Sequence, residues 1–296
     1  MSQSFTPVLS LFRVGVHVSL IALHVAMTTT GHLPNSGSLW TSFSKNPVFS
    51  FFQAGGTQVD MMFMLASYLL VSKILQNFST ANKIETSLYE FIVSRGLRLL
   101  VPIVFVSLVG VAIGDTWDID KEKEDYKPVW QRLGFLFLLV NNYLPADVYG
   151  SFTVSICWSC CVDFHCGIAV MLIAKVVAYL LNLFTTEYGV NRNMRFAYTL
   201  RHIFFFLLVW SVYIRGHLFE VDSLNLFKLG KYFHFASVNT DNSYRWIQQT
   251  YGHNFAAVND PEVVSYSMNY VNNMYSPTHT RFGPYCIGAL LATNVY

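Results

Sequence analysis

Charge is scarce in this sequence. Only 12% of its 296 residues are Asp, Glu, Lys or Arg, about half of the ~25% usual in a soluble domain. That excludes a disordered chain, which stays open through high charge and low hydrophobicity. The 19 basic residues barely outnumber the 17 acidic ones and form no cluster, whereas a nucleic-acid binder needs a basic face. Five cysteines over so long a chain do not make a disulfide scaffold. Internal repeats and low-complexity tracts are absent, so a solenoid is excluded as well. What is abundant is apolar: 53% of residues are hydrophobic, with 25 Phe, 17 Tyr and 6 Trp. A soluble globule of this length would need more polar surface. The class that remains is an all-α, polytopic transmembrane helical bundle, whose surrounding solvent is the lipid bilayer.

Six stretches read as membrane-embedded: residues 14–30, 59–73, 97–114, 154–183, 200–214 and 283–296. The second and fifth fall short of the ~20 residues a spanning helix needs and must extend into their flanks or tilt. A shorter apolar stretch, 133–144, reads as re-entrant or interfacial. The first stretch is interrupted by His17 and His24 and lacks a small-residue cleavage site, so it reads as a retained helix rather than a signal peptide. Residues 220–280, rich in Asn and Tyr, are too polar to span. They form an extramembrane loop within one integral-membrane domain covering 1–296.

Loop charge orients the chain. Arg13 precedes the first stretch; Lys73, Lys83, Arg95 and Arg98 flank the second connection; Arg192, Arg195 and Arg201 flank the fourth. An acidic run from Asp115 to Asp125 lies in an alternate loop. The positive-inside rule then puts the N-terminus and the second and fourth connections in the cytosol, and the 220–280 loop on the far side. The only glycosylation sequon, Asn77-Phe78-Ser79, falls on the cytosolic side and should be unused.

Ionisable residues inside a membrane helix are used or paired. At 100° per residue, His17 lies about 40° and His24 about 20° from Arg13 around the first helix, and the axial distance from Arg13 to His24 is ~16 Å. One stripe therefore runs from the cytosolic edge to mid-membrane. It suits a general base, His24, in a polar cavity with a cation at its mouth; it equally suits helix-packing hydrogen bonds with a snorkelling Arg13. Arg95 and Arg98 share a helix face at i, i+3. They can clamp phosphates bidentately or serve as an ordinary cytosolic flank. Asp60 lines the same cavity or caps the second helix. Asp163, deeper in its segment, reads as cavity-facing. Cys157, Cys160 and Cys161 share a face but lack the turn between pairs that zinc sites use, so they read as small packing residues and no metal is expected.

These features occur with others in order. Arg13, then His24, is followed by Val59-Asp60-Met61-Met62-Phe63-Met64-Leu65-Ala66-Ser67-Tyr68-Leu69-Leu70, by Arg95-Gly96-Leu97-Arg98, by Leu138-Leu139-Val140-Asn141-Asn142-Tyr143, by Trp158-Ser159-Cys160-Cys161-Val162-Asp163-Phe164, and by Thr280-Arg281-Phe282-Gly283-Pro284-Tyr285-Cys286-Ile287-Gly288. From Leu11 to Gly288 the chain resembles the acyltransferase 3 family: membrane acyl-CoA-dependent O-acyltransferases, among them bacterial polysaccharide O-acetylases and the animal nose-resistant-to-fluoxetine group.

The resemblance implies transfer of an acetyl or other short acyl group from cytosolic acyl-CoA to a hydroxyl of a glycan, lipid or small molecule. His24 would be the base, Arg13 would hold the donor or developing charge with Asp163 beside them, and Arg95 and Arg98 would contact CoA phosphates. His17, Asp60, Trp158 and Ser159 would line the cavity. Acyl-CoA would be the co-substrate, with no tightly bound cofactor. Two positions depart from the family pattern: Ala66-Ser67 replaces Ser-Gly, and Asp163 replaces a Glu one methylene longer. The family has about ten spans, so the resemblance also implies a C-terminally truncated member holding about six. A transporter using the same polar stripe, and an inactive truncated relative, are the alternative readings.

Overall fold

The computed structural model describes residues 11, 12, 14–19, 21, 55–81, 84, 86–114, 137–143, 158–184, 190–221 and 278–295. Among these residues the regular elements are all helical, with no strand. They are α1 (Gly55–Ala81), α2 (Leu88–Gly114), a 3₁₀ turn (Asn141–Tyr143), α3 (Trp158–Phe184), α4 (Val190–Val221) and α5 (Thr278–Val295). Three described helices are long and apolar enough to cross a membrane, at Gln58–Thr80, Trp158–Phe184 and Asn191–Leu218. They correspond to the second, fourth and fifth expected stretches. Arg13, His24, Cys157, the acidic run and most of the expected polar loop lie outside the described residues.

The two stretches expected to be short are longer helices. The second runs past Lys73 through Ile74, Leu75 and Phe78, all buried, to Ala81. Its last turns carry polar residues, and two of them are satisfied locally. Ser79 Oγ donates to the Gln76 carbonyl at 3.0 Å, and Thr80 Oγ1 donates to the Asn77 carbonyl at 3.0 Å. The sequon is therefore helical rather than in a loop. The fifth extends at both ends, from Val190 to Val221.

A reciprocal capping box starts α2. Ser87 Oγ accepts the Glu90 N–H at 3.0 Å, and Glu90 Oε2 accepts the Ser87 N–H at 3.0 Å. Together they satisfy two donors that a helix start leaves orphaned. This fixes where α2 begins and puts Arg95 two turns inside it. Pro102 within α2 and Pro284 within α5 each remove one internal hydrogen bond, which neighbouring helices make tolerable in a membrane protein.

The chain falls into two compact units, Met1–Met62 with His217–Tyr270, and Phe63–Gly216 with Val271–Tyr296. In the first, the described residues near the N-terminus are helical. Val16 and Ser19 are buried, Leu11, Val14, Val18 and Ile21 are exposed, and His17 is half-buried.

Most described residues belong to the second unit. There α2 and α3 pack antiparallel: Gly96 lies against Phe164, while Ile103, further along α2, packs with Leu139 and Cys161, nearer the start of α3. Lys175 Nζ reaches the Ile84 carbonyl at 3.4 Å, in the α1–α2 connection. The end of α1 meets the start of α4, where the Phe78 and Phe196 rings stack with centroids 4.0 Å apart and the Arg192 guanidinium covers Phe78 at 5.4 Å. Gly288 of α5 lies against the Met64 backbone of α1 so closely that a Cβ there would overlap the Met64 carbonyl. Exposed Phe205, Phe206, Val209, Val212 and Tyr213 cover an outer face of α4, as expected of a helix solvated by lipid.

Candidate functional site

Arg95, Asp163 and Tyr285 come from three helices and meet in one cluster. Arg95 Nη2 donates to both carboxylate oxygens of Asp163, at 2.7 Å each, and to Tyr285 Oη at 2.9 Å. Tyr285 Oη in turn donates to Asp163 Oδ1 at 2.7 Å. One guanidinium nitrogen thus serves three acceptors, rather than the parallel two-nitrogen fork common in arginine–carboxylate pairs. Arg95 Nε is buried without a hydrogen-bond partner and packs on Gly167, where a Cβ would come within 2.9 Å of it. Gly167 is therefore the space into which the arginine folds. The Arg95 guanidinium also sits 5.6 Å from the Phe91 ring centroid.

The pair is mostly sequestered, with 19% of the Arg95 side chain and 22% of the Asp163 side chain exposed. Opposite charges in such a place compensate each other, and the extra bond from Tyr285 satisfies the carboxylate further. Aromatic rings wall the cluster. Phe63 lies edge-on to Trp158 with centroids 6.3 Å apart and at the same separation from Tyr285. The Arg281 guanidinium stands 5.5 Å from the Trp158 ring centroid.

A second polar group gathers at the start of α5. Asn142 Nδ2 donates to Thr278 Oγ1 at 2.9 Å, and His165 Nδ1 lies 3.0 Å from the same oxygen. The Tyr143 ring neighbours both His165 and His279, with centroids 5.9 and 6.4 Å away. Partial burial lowers the His279 pKa below the ordinary imidazole value.

The expected site residues are therefore distributed as follows. Asp163 and Arg95 are brought into direct contact, with Trp158 near them and Ser159 half-buried in the first turn of α3. Arg98, one turn beyond Arg95, is exposed. Asp60 is half-buried more than a turn inside α1, too far in to cap it. His17 is half-buried on its helix. Among the described residues no three His, Cys, Asp or Glu side chains gather as a metal site. Cys160, Cys161, Cys166 and Cys286 carry thiols, three of them buried.

Tyr285, Thr278 and His165 received no role from the sequence. The signal for Tyr285 was its place after Gly-Pro in an ordered motif. His165 and Thr278 carried none, because their partners lie 113 positions apart.

No family model, curated protein or solved structure matches the chain.

Proposed function

We propose that this chain is a membrane-bound O-acyltransferase that moves a short acyl group from cytosolic acyl-CoA to a hydroxyl of a glycan, lipid or small molecule. It is a six-span bundle with its N-terminus in the cytosol. The observation that carries this reading is convergence. Phe63, Arg95, Asp163 and Tyr285 come from four separate motif stretches, and they are joined through hydrogen bonds and ring contacts in one place. Residues of four ordered motifs meeting in one cluster support a shared site.

A thioester is already activated, so catalysis needs a deprotonated oxygen, positioning and charge stabilisation. His24 takes the acceptor proton, the acceptor oxygen bonds to the acyl carbon, and CoA leaves as the thiolate. Arg13 holds the donor or the developing charge. Arg98, being exposed, is the phosphate contact. Arg95 acts through Asp163 and Tyr285 and is a positioning residue.

The test is acyl transfer from labelled acetyl-CoA in membranes carrying the full chain. His24→Ala should abolish incorporation into the acceptor fraction at unchanged protein level, and Arg98→Ala should raise the KM for acetyl-CoA. Turnover unaffected by His24→Ala sinks the proposal.

A second reading, a carrier, draws on the Arg95–Asp163 pair, because ion pairs within helical bundles also mark substrate and proton pathways. Solute flux in liposomes independent of CoA would favour it.

A further inference from the structure

The group at the start of α5 has the parts of a nucleophile–base dyad. Thr278 Oγ1 accepts from Asn142 Nδ2 at 2.9 Å, and in the tautomer with Nδ1 unprotonated the hydroxyl donates to His165 Nδ1, 3.0 Å away. That separation is within the reach a base needs of its nucleophile.

The Leu139 backbone lies close to the His165 ring. An imidazole protonated at Nε2 offers Nδ1 as an acceptor, and Nδ1 is the nitrogen that faces the hydroxyl. Leu139 has φ 54°, in the left-handed region that a branched residue seldom adopts. Its side chain is 2% exposed and packs against Ile103 and Cys161, which holds that conformation. Residues held in sparsely populated backbone conformations cluster at functional sites. Thr278 is also the first residue of α5. The N–H groups of that first turn lack helical partners and can stabilise an oxyanion. Thr278 and His165 are half-buried beside the exposed Tyr143 and His279, so a small acyl compound can reach them.

We infer that Thr278 is an acyl-accepting nucleophile and His165 its general base, acting on activated carbonyls of the ester or thioester class. This activity goes beyond the transfer proposed above and does not depend on His24. As Thr278 Oγ1 bonds to the carbonyl carbon, its proton passes to His165 Nδ1. The bond from that carbon to the leaving oxygen or sulfur breaks, and the leaving group takes the proton from the imidazolium. In the second half, water or an alcohol gives its proton to His165 and bonds to the acyl carbon. The Thr278 ester bond then breaks, and the Thr278 oxygen takes the proton back. No oxidant or metal enters the balance.

The probe is p-nitrophenyl acetate on the purified full chain, followed by rapid quench and peptide mass mapping. A burst of nitrophenol with an acetyl group on Thr278 is expected. Thr278→Val should remove the adduct, Thr278→Ser should keep it, and His165→Gln should slow its formation by ~10²–10⁴-fold. Thermal melts of each variant separate lost chemistry from lost folding. An unlabelled wild type, or acetylation unchanged in Thr278→Val, overturns the assignment. Acetyl-CoA-dependent transfer that persists in Thr278→Val would leave the main reading standing while this one falls.

Discussion

Replacing Asp163 by Asn should be among the most damaging single changes in the second unit. The carboxylate accepts two bonds from Arg95 and one from Tyr285, each at 2.7 Å. An amide removes the charge and turns one acceptor into a donor aimed at a donor. The guanidinium is left without a counter-charge. Stranding one member of a buried ion pair costs about 3–5 kcal/mol. Because about a fifth of each side chain stays exposed, 19% and 22%, the low end applies, about 3 kcal/mol. Arg95→Met should cost less, since Tyr285 still donates to the carboxylate. The double change Arg95→Met with Asp163→Leu removes both charges and should recover most of the loss. Reversible unfolding in mixed micelles measures all of these. A coupling energy below ~0.5 kcal/mol between the two sites, or an Asp163→Asn variant as stable as the parent, refutes the reasoning. Asp163→Glu is a finer test. The extra methylene drives into an arginine already backed by Gly167, so a loss of about 1–3 kcal/mol is expected.

Other expectations follow from the same packing. Gly288→Ala places a methyl on the Met64 carbonyl and should destabilise by about 2 kcal/mol or more. Gly96→Ala, whose nearest neighbour is the Phe164 ring at 3.6 Å, should be nearly neutral in the same unfolding assay. Asn77 should carry no glycan in a microsomal translation assay, because it is helical and the next residue, Phe78, is buried. His279 is exposed on one side, and partial desolvation on the other lowers its pKa, so the unfolded chain binds that proton more readily. Stability contributed there is complete above about pH 6.5, the unfolded imidazole value, and falls as pH drops toward the folded pKa. His279→Gln should flatten that part of a melting-temperature profile against pH.

Helix positions were readable because apolar runs are a strong signal. Helix ends were not. The reading of the second stretch stopped at Lys73, where Gln76, Asn77, Ser79 and Thr80 dilute the pattern. The helix continues because Ile74, Leu75 and Phe78 are buried along it, while its hydroxyls bond back to its own carbonyls. The candidate site was half legible. Arg95 and Asp163 were each picked out as ionisable groups in or beside apolar segments, and each was given a separate partner. Their mutual pairing spans 68 positions and depends on how α2 crosses α3, which no local pattern encodes. The left-handed Leu139 was invisible for a different reason. Glycine or asparagine would have announced it; leucine does not.

The Gly288–Met64 contact also bears on the order of assembly. A chain is made from its N-terminus, so α1, α2 and α3 are present before α5 is made. Arg95 and Asp163 can already find each other at that stage, yet the phenol that completes their bonding arrives only with Tyr285. The same late helix brings the glycine that lets its backbone settle on α1. Until it docks, the ion pair lacks that third partner and faces the space α5 will fill. The last described helix thus completes a bonding arrangement that the earlier ones can only begin.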